Sequence, residues 1–292
     1  MRTFTMIKTA IAIATTAITL GVMSPAIAAQ GASDKPTVVL VHGAFAESAS
    51  WNGVAKQLLT QGYPVVAAAN PLRGVKYDAD YIASIVEQTS GPVILVGHSY
   101  GGSVISNAVQ DNSNVKALVY VAAFAPDKGE TAVELSGRYP GSTLGPTLAT
   151  PVTLKDGNKD LYIQQDKFAQ QFAADVAAPE AALMAASQRP ITEHALHEAS
   201  GDPAWKQLPS WFIFGSADKN IPEAALAFMA DRAGSKKTVT VEDASHVVMT
   251  SNPELFWGLI ASMWIGNLML VVLNLPLIGV WVKLLSVPYR WL

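Results

Sequence analysis

In PVILVGHSYGG, residues 92–102, an uncharged apolar run stops at a glycine and the chain then has to change direction within a few residues. An unbroken apolar run of this length fits a strand buried on both faces, the kind found inside a mostly parallel sheet. Gly97 and Gly101 stand two positions to either side of Ser99. Residues without a side chain at those places let the strand and the following helix approach closely, and they leave the serine raised on a strained turn. A Gly-x-Ser-x-Gly string also arises by chance. Its weight here comes from the strand before it and the helical pattern of residues 103–109 after it.

Short apolar runs recur at 37–41, 63–71, 116–123, 211–215 and 238–242, and helical patterns alternate with them at 51–59 and 78–88. Ser50 is placed to cap the first of these helices and Gly62 to end it. Strands of this kind separated by helices predict an α/β fold: a mostly parallel sheet, helices on both faces, and reactive loops at the carboxyl ends of the strands. Between about residues 126 and 208 the alternation breaks down. A Gly, Ser, Thr and Pro-rich connection at 140–151 is followed by the helical stretches DKFAQQFAADV and PEAALMAASQRP. Roughly 80 residues without a clear strand are too many for a plain loop and read as a helical cap inserted over the sheet. The 292 residues, half of them hydrophobic, suit one such domain with extra terminal elements.

A serine hydroxyl is a weak nucleophile until a base takes its proton. The chain has five histidines and no cysteine, so thiolate nucleophiles, thiolate metal ligands and disulfides are excluded. His246, in VEDASHVVMTSNPE, follows the last strand pattern and precedes a helix with Ser251 and Glu254 at capping-box spacing, which sets its ring over the sheet end. His42 adjoins the first strand, and His98 lies inside the turn, facing away when Ser99 faces up. His194 and His197 belong to the cap and, three apart, read as helix surface rather than a ligand pair.

The base needs a carboxylate on its far nitrogen. Asp218, in FIFGSADKNIP, follows the penultimate strand and completes the chain order Ser99, Asp218, His246. Asp127 is its main rival, Asp243 lies too near His246 in sequence, and the bland alternative for Asp218 is a loop aspartate making an Asx turn. Donors for negative charge on a substrate oxygen are expected from the backbone: the Tyr100 amide at a helix start and the Ala44 amide in HGAF, with Phe45 beside it. Phe168, Phe172, Met184 and Trp205 are candidates either for lining a pocket under the cap or for filling core.

With these pieces the chain resembles the α/β-hydrolase superfamily, specifically its small, cap-bearing, serine esterase-like members, and more distantly plant hydroxynitrile lyases and methylesterases. The segments that carry the resemblance are VVLVHGAFAESASW, NPLRG, PVILVGHSYGG, YVAAFAPDKGE, MAASQRP, SWFIFGSADKNIP and DASHVVMTSNPE, and it covers about residues 36–254. It implies Ser99 as nucleophile, Asp218 as acid, His246 as base, and Ala44 and Tyr100 as oxyanion donors. It also implies a small-molecule ester substrate and no metal or organic cofactor. Hydroxynitrile-lyase-like or cofactor-free oxidoreductase chemistry, and a non-catalytic ligand-binding or membrane-tethered role, remain open, because one scaffold hosts many activities.

The two ends stand outside that resemblance. MRTFTMIKTAIAIATTAITLGVMSPAIAAQ has Arg2 and Lys8, an uncharged apolar stretch at 9–23 and then Ala26, Ile27 and Ala28. That order predicts a signal peptide at 1–28 and export to a periplasmic or extracellular face. Its removal moves the formal charge from -3 to about -5, and such mild acidity gives no footprint for nucleic acid. At the other end, residues 255–292 form a hydrophobic tail in which Leu255 to Val282 carry no charge. That run is long enough for a hydrocarbon core of about 30 Å, so membrane association through the tail and a membrane-anchored location are expected, with burial in a core or self-association as the alternative. Related chains usually finish instead with an amphipathic, partly charged helix. Nothing in the sequence sets an oligomeric state.

Overall fold

The computed structural model describes residues 35–109, 113–256 and 258. The chain opens with β1 (Thr37–Val41), α1 (Asn52–Thr60), β2 (Val65–Ala68), α2 (Val75–Glu87), β3 (Val93–His98), α3 (Tyr100–Asn107) and β4 (Val115–Val121). An insertion follows: α4 (Ala132–Gly137), β5 (Val152–Thr153), β6 (Lys159–Leu161), α5 (Gln165–Phe172), α6 (Ala178–Ser187), β7 (Ile191–Thr192) and α7 (Glu193–His197). The alternation then resumes with β8 (Ser210–Gly215), α8 (Glu223–Arg232), β9 (Thr238–Val241) and α9 (Val248–Ser251).

The central sheet has the order β2-β1-β3-β4-β8-β9, and every neighbouring pair is parallel. This is the expected α/β architecture. Its physical basis shows in the burial: every residue of β1 and β3 is buried, which removes any reason for polar alternation, whereas edge strand β9 alternates exposed and half-buried residues. The chain winds outward from β1 to β2 and then returns to β3 on the other side. The loops leaving β1 and β3 therefore part in opposite directions, and a crevice opens at their carboxyl ends, where ligands bind in open α/β sheets.

The insertion is not purely helical. It holds a second sheet, antiparallel and ordered β5-β6-β7, with Val152 opposite Asp160 and Leu161 opposite Ile191. Strands of two or three residues are too short to display a period, so the sequence pattern had no way to reveal them. The two stems of the insertion are zipped together. Gly129 donates to the Ser200 carbonyl and Ser200 to the Glu130 carbonyl at 2.8 and 2.9 Å, and the Trp205 indole donates to the Pro126 carbonyl at 3.0 Å.

Two local expectations also change. Residues 48–51 form a 3-10 turn in which Ser50 Oγ donates back to the Glu47 carbonyl, leaving α1 uncapped by a side chain. Ser251 ends α9 rather than opening a helix, and a capping box is instead made by Thr131 and Glu134 at the start of α4.

The expectations about the ends need a larger correction. Among the described residues no helix is long and apolar enough to cross a membrane. The longest of them, α2, has 13 residues, which at about 1.5 Å per residue reach only about 20 Å, short of a core of about 30 Å. The spanning helix, the membrane association and the membrane-anchored location read from the apolar tail are therefore not borne out. The tail from residue 259 onward lies outside the described residues, as does the leader at 1–28.

Candidate active site

The turn after β3 takes the form its glycines require. Ser99 has φ 53° and ψ −123°, a left-handed conformation rare for a residue with a side chain. A Cβ on Gly97 would lie 2.6 Å from the Gly101 carbonyl oxygen, and a Cβ on Gly43 would lie 2.6 Å from Ser99 Cβ. The strand-to-helix turn and the His42–Phe45 loop can close on one another only because these positions carry hydrogen alone.

Three side chains from three strand ends meet above this turn. Ser99 Oγ, after β3, lies 2.8 Å from His246 Nε2, and His246 Nδ1 donates to Asp218 Oδ2 at 2.6 Å. Asp218 follows β8 and His246 follows β9, and all three residues are almost wholly buried. The Asx turn considered for Asp218 is present as well: its Oδ1 accepts from the Asn220 and Ile221 amides at 2.8 and 3.0 Å. One carboxylate thus does both tasks, because the oxygen not used by the imidazole is immobilised by its own loop. Asp127 is turned elsewhere, to the Lys206 ammonium and the Lys128 amide, and Asp243 is exposed.

The remaining histidines separate cleanly. His98 is not idle: its Nε2 donates to the His246 carbonyl at 3.0 Å, with the two rings 4.8 Å apart. Burial first, and the neighbouring His246 second, hold its pKa well below the ordinary imidazole value. A neutral ring at that place supports the His246 loop without placing a second cation beside it. His42 donates through Nδ1 to the Gly43 carbonyl, and burial lowers its pKa to about 4. His194 and His197 are exposed on α7.

The expected backbone donors also border this space. Tyr100 opens α3, where a first-turn amide has no partner within its helix. Ala44 and Phe45 lie on the loop after β1, and the Phe45 amide is already committed to the Arg189 carbonyl at 3.0 Å, which leaves Ala44 as the donor candidate of that pair. Ala44, Tyr100, Ser99 and His246 all line a cavity of about 300 Å³.

Most of that cavity is apolar, with Phe124, Val133, Leu144, Phe172, Leu196 and Ile221 among its walls. Ser136, Ser142 and Asn220 supply polar groups, and among the described residues no Asp, Glu, Lys or Arg lines it. Of the four cap residues considered from sequence, only Phe172 faces the cavity, its ring 5.1 Å from that of His246. Phe168 packs behind it at 5.0 Å, Met184 lines a separate groove beside α6, and Trp205 ties the cap stems. The sequence did not single out Val133 or Leu196, whose helices α4 and α7 are too short to carry a periodic signal, nor Leu144 and Ile221, which lie outside regular helices and strands.

The insertion also braces the acid. Gln171 on α5 donates to the Lys219 carbonyl at 2.9 Å and to Asn220 Oδ1 at 3.0 Å, while its own oxygen accepts from Thr143 Oγ1 at 2.9 Å. The loop that carries Asp218 is thereby held from the cap side as well as from the sheet.

Comparison with known proteins separates the body of the chain from its end. The tripartite tricarboxylate transporter TctA family matches residues 234–292, a minority of the chain that includes the apolar tail. An uncharacterized protein of the TAR-II ttuC′ 3′ region of Agrobacterium vitis is 76% identical over 45 residues, which are 15% of this chain and 19% of that protein. The chain therefore spans less than a fifth of that relative. Salicylic acid-binding protein 2 of Nicotiana tabacum is 25% identical over 239 residues, covering 74% of this chain and 92% of its own. Among solved structures, polyneuridine aldehyde esterase matches with a TM-score of 0.69 at 17% identity over 78% of this chain and 99% of its own, a likeness of fold. The alpha/beta hydrolase family matches residues 38–258, from the first strand of the sheet to beyond the His246 loop, and the chain belongs to that family.

Proposed function

We propose that the protein hydrolyses uncharged, largely apolar carboxylic esters by acyl transfer through Ser99. The observation that carries this is the continuous hydrogen-bonded chain from Ser99 through His246 to Asp218, opening into a cavity with no charged wall among the described residues. Ser99 Oγ attacks the ester carbonyl while His246 Nε2 takes the hydroxyl proton. Asp218 keeps the imidazole in the tautomer with its proton on Nδ1 and favours the imidazolium that forms. The Ala44 and Tyr100 amides receive the oxyanion. His246 then delivers its proton to the leaving alcohol, the tetrahedral adduct collapses to an acyl-serine, and a water activated by the same imidazole releases the acid and restores the serine.

An uncharged cavity favours the neutral ester over the carboxylate product, since a buried anion without a partner loses its hydration uncompensated. Product acid should therefore leave readily. Support for an ester rather than another acyl compound comes from the structural likeness to a protein named as an esterase. The test is labelling with a fluorophosphonate probe alongside a panel of neutral and charged esters. Covalent labelling that disappears in Ser99→Ala, with turnover confined to the neutral esters, is the expected result. Unlabelled wild-type protein with no turnover on any ester would exclude the proposal.

A further inference from the structure

Asp78, on α2, is wholly buried and takes no part in the acyl transfer above, yet it is surrounded by donors. Its Oδ2 accepts from the Tyr100 hydroxyl at 2.9 Å. The Arg73 amide reaches both of its oxygens at 3.1 Å, and the Gly74 amide reaches Oδ2 at 3.5 Å. Burial pushes the carboxyl pKa up, and these hydrogen bonds together with the Arg73 charge draw it back. Tyr100, pushed well above the ordinary phenol value by burial and then by Asp78, keeps its proton and so remains a donor.

Tyr100 directly follows the nucleophile, and its amide is one of the two proposed oxyanion donors. That amide leaves a turn in a sparsely populated conformation, which persists only where the surroundings over-determine it. On the sheet side the turn is held by backbone: Ser99 donates to the Val121 carbonyl at 3.1 Å, and its own carbonyl accepts from Gly102 and Phe124 at 3.0 and 3.1 Å. On the helix side the side-chain tether is the Tyr100 hydroxyl on Asp78. The same carboxylate closes the loop at residues 72–74, where Leu72 has φ 62°. That loop bears the cap: Thr192 of β7 donates to the Leu72 carbonyl through its amide and to the Arg73 carbonyl through Oγ1, both at 3.1 Å. The Arg73 guanidinium reaches Asp160 of β6 at 2.6 Å and the Pro190 carbonyl at 2.9 Å.

We infer that Asp78 is a positioning residue for oxyanion stabilisation: by holding the Tyr100 hydroxyl it aims the Tyr100 amide at the developing oxyanion, and it joins that amide to the cap-bearing loop. The inference rests on acyl transfer at Ser99. A carboxylate acceptor makes a stronger and more directional tether than a neutral one. An oxyanion is present only at the transition state, so a misaimed amide lowers kcat and leaves substrate binding nearly untouched.

The test compares wild type, Tyr100→Phe, Asp78→Asn and the double variant on p-nitrophenyl butyrate, with active sites titrated by a fluorophosphonate. Inhibition by an aryl trifluoromethyl ketone, which forms a tetrahedral adduct with a reactive serine, is measured in parallel. Tyr100→Phe is expected to lower kcat per titrated site about tenfold with KM within about twofold, and to weaken the ketone by a similar factor. Asp78→Asn keeps an acceptor for the loop amides but weakens the pull on the hydroxyl, so it should lose less. The double variant should be no worse than Tyr100→Phe, because both changes cut one tether.

Unchanged kcat per site in Tyr100→Phe, a rise in KM alone, or additive losses in the double variant would overturn the inference. If Tyr100→Phe does not fold, Asp78→Asn decides by the same readouts, and unchanged kcat and ketone affinity overturn it. Wild-type turnover that survives Ser99→Ala defeats acyl transfer at Ser99 instead. Turnover lost in Ser99→Ala yet intact in Tyr100→Phe defeats only the role of Asp78.

Discussion

Val93–His98 leads into the turn that bears Ser99, and Gln165–Phe172 carries Phe172 into the cavity wall; β3 belongs to the sheet, α5 to the cap, and they are held by different means. β3 is buried at all six positions and pairs along its length with β1 and β4. Its position follows from apolar burial and ladder hydrogen bonds, which are numerous and individually replaceable. The cap is instead held by scattered polar contacts over long separations, among them Arg73 to Asp160, Thr192 to the 72–73 loop and the Phe45 amide to Arg189. Gln171 grips the Asp218 loop, and Gln188 mimics a strand neighbour, its Oε1 accepting from the Ile163 amide and its Nε2 donating to the Ile163 carbonyl, each at 2.9 Å. The sheet edge thus carries reactive groups on a stiff base, while the cap shapes the cavity through contacts that single substitutions can remove.

The comparison predicts that chemistry and stability separate. Ser99→Ala and His246→Ala should each lower kcat/KM by at least about 10³-fold while the melting temperature stays within a few degrees. Steady-state kinetics beside thermal unfolding check this, and a comparable loss from a cap substitution would break the distinction. Phe172→Ala is that cap substitution. Its fully buried ring touches Phe45, Phe168, His98 and His246, and its removal should cost about 3–5 kcal/mol in denaturant unfolding and raise KM more than it lowers kcat.

The pH dependence of stability sharpens the same contrast from the sheet side. His42 and His98, both held below the ordinary imidazole pKa chiefly by burial, stay neutral when folded. Between about pH 6.5 and 4 the unfolded chain binds protons that the folded chain refuses, so stability is fully present above about pH 6.5 and falls as the pH drops. Each imidazole contributes a slope of up to about 1.4 kcal/mol per pH unit in that window. Urea titrations at pH 7 and 5 measure it, and His42→Gln should flatten the slope. The smallest effect is expected at the rim, where Asp160→Asn weakens the bond between the partly exposed Arg73 guanidinium and the buried Asp160 carboxylate and should cost about 1 kcal/mol. A larger shift in the melting temperature would mean that this one pair carries the seating of the cap.

Legibility in the sequence divides along the same line. The β1 boundaries coincide with the apolar run at 37–41, and β3, β4 and β8 begin or end within two residues of theirs, because a strand buried on both faces writes itself as uninterrupted apolar residues; edge strand β9 shows instead as the alternation TVTV. The turn at Ser99 was legible for a related reason: steric exclusion at Gly97 and Gly101 is recorded in residue type. The strands β5, β6 and β7 left no such trace because two or three residues show no period, and the Gln171 latch and the Asp78 tether left none because their partners lie 49 and 22 residues away. The apolar tail misled in the opposite sense, its composition inviting a spanning helix that is not found among the described residues.

Taken alone, the order of residues settled the parallel sheet, the strained serine turn and the succession Ser99, Asp218, His246 after three strand ends, because burial and backbone strain act within single elements. Only the packed chain decided that His98 supports the His246 loop while His246 itself reaches the serine, that Asp218 serves both its loop and the imidazole, and that the cavity walls carry no charge among the described residues. Those outcomes are set by distances between segments, as in the 147 positions that separate Ser99 from its imidazole partner, and no local pattern specifies where such segments will meet.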